Sequence, residues 1–143
     1  MMDIQEIMEV LPHRPPFLLI DRVLEMDLEE KRILCVKNLT ATEDYFRGHF
    51  PNRPVMPGVL QLEVMAQAAG ILLNKAGGYE GRIAFFTSVD KARFRRQIGP
   101  GDQLMVEARL DKIKSFLCKV KGSITVDGER VCDAELAFAF GRD

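Results

Sequence analysis

Between Val59 and Lys75 the chain places Val59, Leu60, Leu62, Val64, Met65, Ala66, Ala68, Ala69, Ile71, Leu72 and Leu73 around almost the whole circumference of one helix. A helix that is apolar all round has no face to offer water and must be enclosed by other structure. Gly77-Gly78 stops it, as glycine commonly does at a helix C-terminus. Glu63, Gln67 and Asn74 interrupt the apolar run, so it does not read as a membrane span. The fold therefore consists of one buried helix and whatever wraps it.

What wraps it reads as strands. Leu18–Met26 and Lys31–Leu39 are rich in aliphatics and flank Asp27-Leu28-Glu29-Glu30, the pattern of a hairpin. Arg82–Thr87 and Val89–Gln97 suggest two further strands with a kink near Ser88. Leu104, Val106, Ala108 and Leu110 alternate with Glu107, Arg109 and Asp111, as in a strand with one buried face. Val126-Asp127-Gly128-Glu129 signals a tight turn between Lys119–Val126 and Arg130–Phe140. Ile124, Val126, Ala134, Leu136, Phe138 and Phe140 would supply the inward faces of that pair. At the N-terminus Asp3 and Glu6 cap a short helix carrying Ile4, Ile7 and Met8 on one face. Pro12, Pro15 and Pro16 forbid its continuation. Thr40–Pro57, broken by Gly48, Pro51, Pro54 and Pro57, reads as loop. The sum is an α+β chain, one long helix against five or six antiparallel strands, forming a single domain over residues 1–143.

A net charge of −1 gives no overall attraction to nucleic acid or to an anionic membrane. The acidic start, Met1-Met2-Asp3-Ile4-Gln5-Glu6, lacks the basic and then apolar pattern of an export signal, so a cytoplasmic location is expected. Cys35, Cys118 and Cys132 stand singly in strand-like segments and read as reduced core thiols. The two histidines, His13 and His49, have no second histidine or cysteine at ligand spacing, so no metal site is expected.

Chemistry concentrates in the sixteen residues Gly48–Glu63, Gly-His-Phe-Pro-Asn-Arg-Pro-Val-Met-Pro-Gly-Val-Leu-Gln-Leu-Glu. His49 lies in a proline-stiffened loop that can hold an imidazole in one orientation. Pro57-Gly58 opens the buried helix, where unpaired N–H groups and the helix dipole favour negative charge. Glu63 sits in the second turn, with Gln67 one turn later on the same face and able to orient it. Apolar surroundings disfavour the charged form of a carboxylate, which suits a general acid. Gly58 has no side chain to keep a carbonyl from its N–H. Each feature taken alone has a structural explanation; their coincidence points to catalysis.

Leu11-Pro12-His13-Arg14-Pro15-Pro16-Phe17-Leu18-Leu19-Ile20-Asp21-Arg22-Val23, the Gly48–Gly70 segment, Asp90-Lys91-Ala92-Arg93-Phe94-Arg95-Arg96 and Pro100-Gly101-Asp102 together resemble the (3R)-hydroxyacyl-[acyl-carrier-protein] dehydratases of the FabZ type. The resemblance covers almost the whole chain. It implies a hot-dog fold, a long helix wrapped by an antiparallel sheet, in a homodimer that shares its active sites and assembles further into a hexamer. It places the catalytic histidine on His49, the acid on Glu63 and the thioester-polarising glycine on Gly58, with histidine and acid from different subunits. Glu63 favours this branch over the related FabA dehydratase/isomerases, which usually carry Asp there. Pro15 departs from the Tyr of many relatives.

The implied reaction converts a (3R)-3-hydroxyacyl thioester on acyl carrier protein to the trans-2-enoyl thioester, in fatty acid synthesis, with no cofactor. Lys91, Arg93, Arg95 and Arg96 form a local positive cluster that could meet an acidic carrier, or simply a solvated strand edge. Phe85, Phe86, Val59 and Met65 could line an acyl channel, or belong to the core. Two other readings of the same fold stay open: an acyl-thioester hydrolase, and a non-catalytic acyl-thioester-binding module. The second has no need for both His49 and Glu63.

Overall fold

The computed structural model describes residues 1–141. Helix α1 spans Ile4–Val10 and opens with a full capping box, in which the Asp3 carboxylate accepts from the Glu6 N–H and the Glu6 carboxylate from the Asp3 N–H. Strands β1 (Arg22–Asp27) and β2 (Arg32–Asn38) form the expected hairpin. A short 3-10 turn, Asp44–Arg47, interrupts the long loop that follows. Helix α2 runs from Gly58 to Ala76, capped by Gly77, and β3 (Ala84–Phe94), β4 (Gln103–Lys114), β5 (Leu117–Val126) and β6 (Glu129–Phe140) complete the chain.

The six strands form one antiparallel sheet in the order β1-β2-β4-β5-β6-β3, curled around α2. Val64, Met65, Ala68, Ala69, Ile71, Leu72 and Leu73 of the helix are enclosed, against Leu104, Val106, Ala108, Val120, Ile124 and Leu136 from the sheet. Each such aliphatic contributes roughly 1.5–3 kcal/mol by leaving water. The helix can lie this close because β5 carries Gly122 beneath Met65; a Cβ there would come within 2.8 Å of the methionine sulfur. Asp127 and Gly128 both have positive φ, the primed turn expected at the β5–β6 hairpin. Ile124, Val126, Ala134, Leu136, Phe138 and Phe140 all face inward. The three cysteines are free and buried.

Four expectations need correction. The first strand begins at Arg22, not Leu18, because the side-chain amide of Gln67 takes the backbone of the preceding residues: it accepts from the Leu19 N–H and donates to the Phe17 carbonyl, each at 2.8 Å. The two strands expected on either side of Ser88 are one, β3, whose pairing with β6 slips between Phe86 and Ser88 and again between Asp90 and Arg93. Thr40–Pro57 is not loop throughout. Lastly, α2 is not enclosed on every side. Val59 is 72% exposed, and Leu62, Glu63, Ala66 and Gly70 are half-buried, because the sheet curls around only part of the circumference.

Strand β3 is the far edge of the sheet. It is exposed along most of its length, with Phe85, Phe86, Val89 and Phe94 open to solvent, and one of its two sides has no strand partner among the described residues. An apolar edge strand of this kind is a template for pairing with another chain.

Candidate active site

The loop bearing His49 is fixed from three directions. At its start Lys37, buried on β2, places its ammonium 2.7 Å from the Glu43 carboxylate and 3.9 Å from Asp21. The His49 N–H donates to the Tyr45 carbonyl at 3.0 Å, and Phe50 and Arg53 exchange backbone hydrogen bonds across the turn between them. Beyond that turn the Met56 N–H donates to the Ile98 carbonyl at 2.8 Å.

The imidazole itself is oriented by one hydrogen bond. Nδ1 lies 2.8 Å from the Val55 carbonyl oxygen. A carbonyl can only accept, so Nδ1 carries the hydrogen, and the neutral ring presents a lone pair at Nε2. Phe50 stacks on the ring at 4.0 Å between centroids. The sequence placed a held imidazole here, and the structure supplies the group that holds it.

Gly58 is the first residue of α2, and the N-cap Pro57 contributes no side-chain hydrogen bond. The opening N–H groups of a helix have no acceptor within it, so this end can receive an oxyanion. A Cβ on Gly58 would lie 3.0 Å from the Phe94 ring, so only glycine leaves the N-terminus of α2 close beneath that aromatic without displacing it. His49, Gly58, Phe94, Arg95, Arg96 and Gln61 line one cavity.

Glu63 and Gln67 line a different one. The Gln67 amide donates to Glu63 Oε2 at 2.8 Å, so the orienting bond expected from their spacing is present. The groove around them is walled by Leu11, Ala66, Phe86, Phe138 and Phe140. This apolar lining suits an acyl chain. The two cavities share no lining residue, so a single chain does not assemble His49, Gly58 and Glu63 around one ligand. Five residues along a helix place Glu63 about 140° round from Gly58, which is why the two face apart.

Sequence reasoning missed His13. Its Nε2 stands 3.4 Å from Glu63 Oε2, and its Nδ1 is buried with no hydrogen-bond partner among the described residues. The contact spans fifty residues, and no local pattern announces it. Of the channel candidates, Phe86 does line the Glu63 groove; Met65 is core, fully enclosed, and Val59 points to solvent. In the basic cluster, Arg95 pairs with Asp133 at 2.8 Å, Arg96 with Glu129 at 3.6 Å and Lys91 with Glu135 at 3.9 Å, which offsets much of its charge. Arg95 and Arg96 nevertheless stand at the His49 cavity. No helix among the described residues is long and apolar enough to cross a membrane.

Residues 11–135 match a family model described as a FabA-like domain. The chain is 49% identical over 141 residues to a 3-hydroxyacyl-[acyl-carrier-protein] dehydratase FabZ of Bacillus cereus, covering 99% of this chain and 97% of that protein. It is 48% identical over 139 residues to the protein of the same description from Listeria monocytogenes, covering 97% and 96%. Among solved structures, the dehydratase heterocomplex ApeI:P from Xenorhabdus doucetiae superposes with a TM-score of 0.80 at 17% identity, covering 96% of this chain and 91% of that one. A hypothetical thioesterase from Streptococcus pneumoniae, solved with coenzyme A, superposes at 0.63 and 12% identity over 84% of each chain. At these identities the structural likenesses carry the fold alone.

Proposed function

The chain belongs to the FabA-like family, with the hot-dog fold, and on that premise we propose that it dehydrates (3R)-3-hydroxyacyl thioesters carried on acyl carrier protein to trans-2-enoyl thioesters in fatty acid biosynthesis. The observation that carries this reading is the hydrogen bond from His49 Nδ1 to Val55, which leaves Nε2 as a base in the cavity that the N-terminus of α2 also lines.

His49 Nε2 removes a proton from C2 of the substrate. The charge that develops on the thioester oxygen is met by the Gly58 N–H and the helix dipole. The C3–O bond breaks as the C2=C3 bond forms, and Glu63 delivers a proton to the departing hydroxyl so that water leaves. The thioester is the electron sink, so the steps balance with no cofactor.

Because His49 and Glu63 open onto different cavities, the working site is completed by a second copy. Phe94, at one end of β3, borders the His49 cavity, and Phe86, near the other end, borders the Glu63 groove. Antiparallel pairing of β3 with its copy, centred near the middle of the strand, brings each end against the opposite end of the partner. His49 and Gly58 of one chain then face Glu63 of the other across the seam. The exposed phenylalanines of β3 and the half-buried flank of α2 support that interface. We read the working unit as this homodimer, with a hexamer as its further assembly, and place it in the cytosol, where three buried reduced thiols are at home.

Incubating the protein with a 3-hydroxyacyl thioester tests the reading. Growth of enoyl absorbance without free thiol is the expected result. Release of free thiol without enoyl product makes the protein a hydrolase, and neither signal leaves a binding module.

A further inference from the structure

We propose that His13 is a positioning residue for Glu63: with the Gln67 amide, its Nε2–H holds Oε2 and leaves Oε1 free to face the substrate hydroxyl. The inference rests on the dehydratase reading and adds a residue to it.

Three observations support it. First, His13 Nε2 is 3.4 Å from Glu63 Oε2, the same oxygen that receives the Gln67 N–H at 2.8 Å. Such a separation is at the outer edge of hydrogen-bond reach, where polar contacts often stand before substrate closes a site. The Gln67 bond sets the rotation of the carboxylate, and the imidazole stands beside the oxygen that receives it.

Second, the backbone that carries His13 is fixed. The Arg14 guanidinium donates to the carbonyls of Met8, Leu11 and His13 at 2.9, 2.9 and 2.7 Å. On the far side, Gln67 ties Phe17 and Leu19 to α2. A side chain on a segment pinned at both ends can serve as a fixed donor.

Third, the chemistry of the ring selects its form. Nδ1 is buried with no partner among the described residues. A hydrogen on Nδ1 would be buried there without an acceptor. The neutral tautomer with hydrogen on Nε2 buries only a lone pair, and it sends its donor toward Glu63. The other polar groups of the groove are placed differently. The Tyr79 hydroxyl is committed to the Ser115 carbonyl at 2.7 Å, and the Arg82 guanidinium lies over the Phe116 ring.

The test compares His13→Met, which keeps bulk and loses the donor, with His13→Gln, which keeps an N–H. Expected is a kcat for the Met variant lower by about tenfold or more, with KM within about twofold of the parent. The Gln variant should recover to within about threefold of the parent kcat, since it restores the donor. Full kcat in His13→Met overturns the proposal, as does a folded His13→Gln that loses as much as the Met variant. His13→Gln is read alone should the Met variant not fold. An inactive parent protein would instead overturn the dehydratase reading itself, so the two failures are distinguishable.

Discussion

His49 and Glu63 lie fourteen residues apart in sequence, yet in one chain they open onto separate cavities with no wall in common. The loop that ends at Pro57 delivers the imidazole to the N-terminal end of α2, whereas Glu63 leaves that helix on another side. Glu63 stands five residues beyond Gly58, about 140° further round the helix. On the proposed reading, pairing of the edge strand β3 with its copy joins the two halves of the site.

Replacing Gly58 by alanine separates stability from activity. Alanine is the better helix former by up to about 1 kcal/mol, so the thermal midpoint should stay level or rise. The new Cβ would meet the Phe94 ring at 3.0 Å, and that ring, about half exposed, itself lines the His49 cavity, so its displacement alters the cavity wall. We expect kcat/KM to fall by about tenfold or more as access to the N–H narrows. Steady-state kinetics beside a thermal melt check both halves.

Burial pushes the thiols of Cys35 and Cys132 up to about 12 and that of Cys118 up to about 11. At pH 8 the reactive thiolate is therefore on the order of one part in a thousand or less at each. In the native protein a thiol reagent such as iodoacetamide should modify none of the three within an hour. After denaturation all three should react, as mass spectrometry would show.

Arg95 and Arg96 stand at the mouth of the His49 cavity, each already paired with an acid, Asp133 and Glu129. Reversing both charges should raise KM for a carrier-bound substrate by about tenfold at low salt, with the difference shrinking as ionic strength rises. A small-molecule thioester that lacks the carrier should show no such change. Equal effects on both substrates would assign the arginines to the site and not to carrier docking.

The helix and the last two strands were legible because a local pattern specifies each. Leu60 to Leu73 is dominated by apolar residues, Ile124 to Phe140 alternates, and Asp127-Gly128 provides the turn between. Strand β3 was harder to read because Phe85, Phe86, Val89 and Phe94 do not alternate, as its two register shifts require. Its place beside β6, at the sheet's edge, depends on long-range pairing that local pattern does not encode. Leu18 and Leu19 look like strand and form none, since Gln67 claims the adjoining backbone from across the core. His49, Gly58, Glu63 and Gln67 could be named as candidates because one short segment and its resemblance carry them all. His13 could not, because its approach to Glu63 exists only after α2 and the segment following α1 have packed.

The central claim, that one site draws its base and its acid from two copies of the chain, is tested most directly by mixing inactive variants. His49→Ala and Glu63→Gln homodimers should each lose activity by about 10²–10⁴ while remaining folded. Unfolded together and refolded at equal concentration, they should regain about a quarter of the parent activity, because half the dimers are mixed and each mixed dimer holds one intact site. A refolded mixture no more active than either variant alone would contradict the shared site.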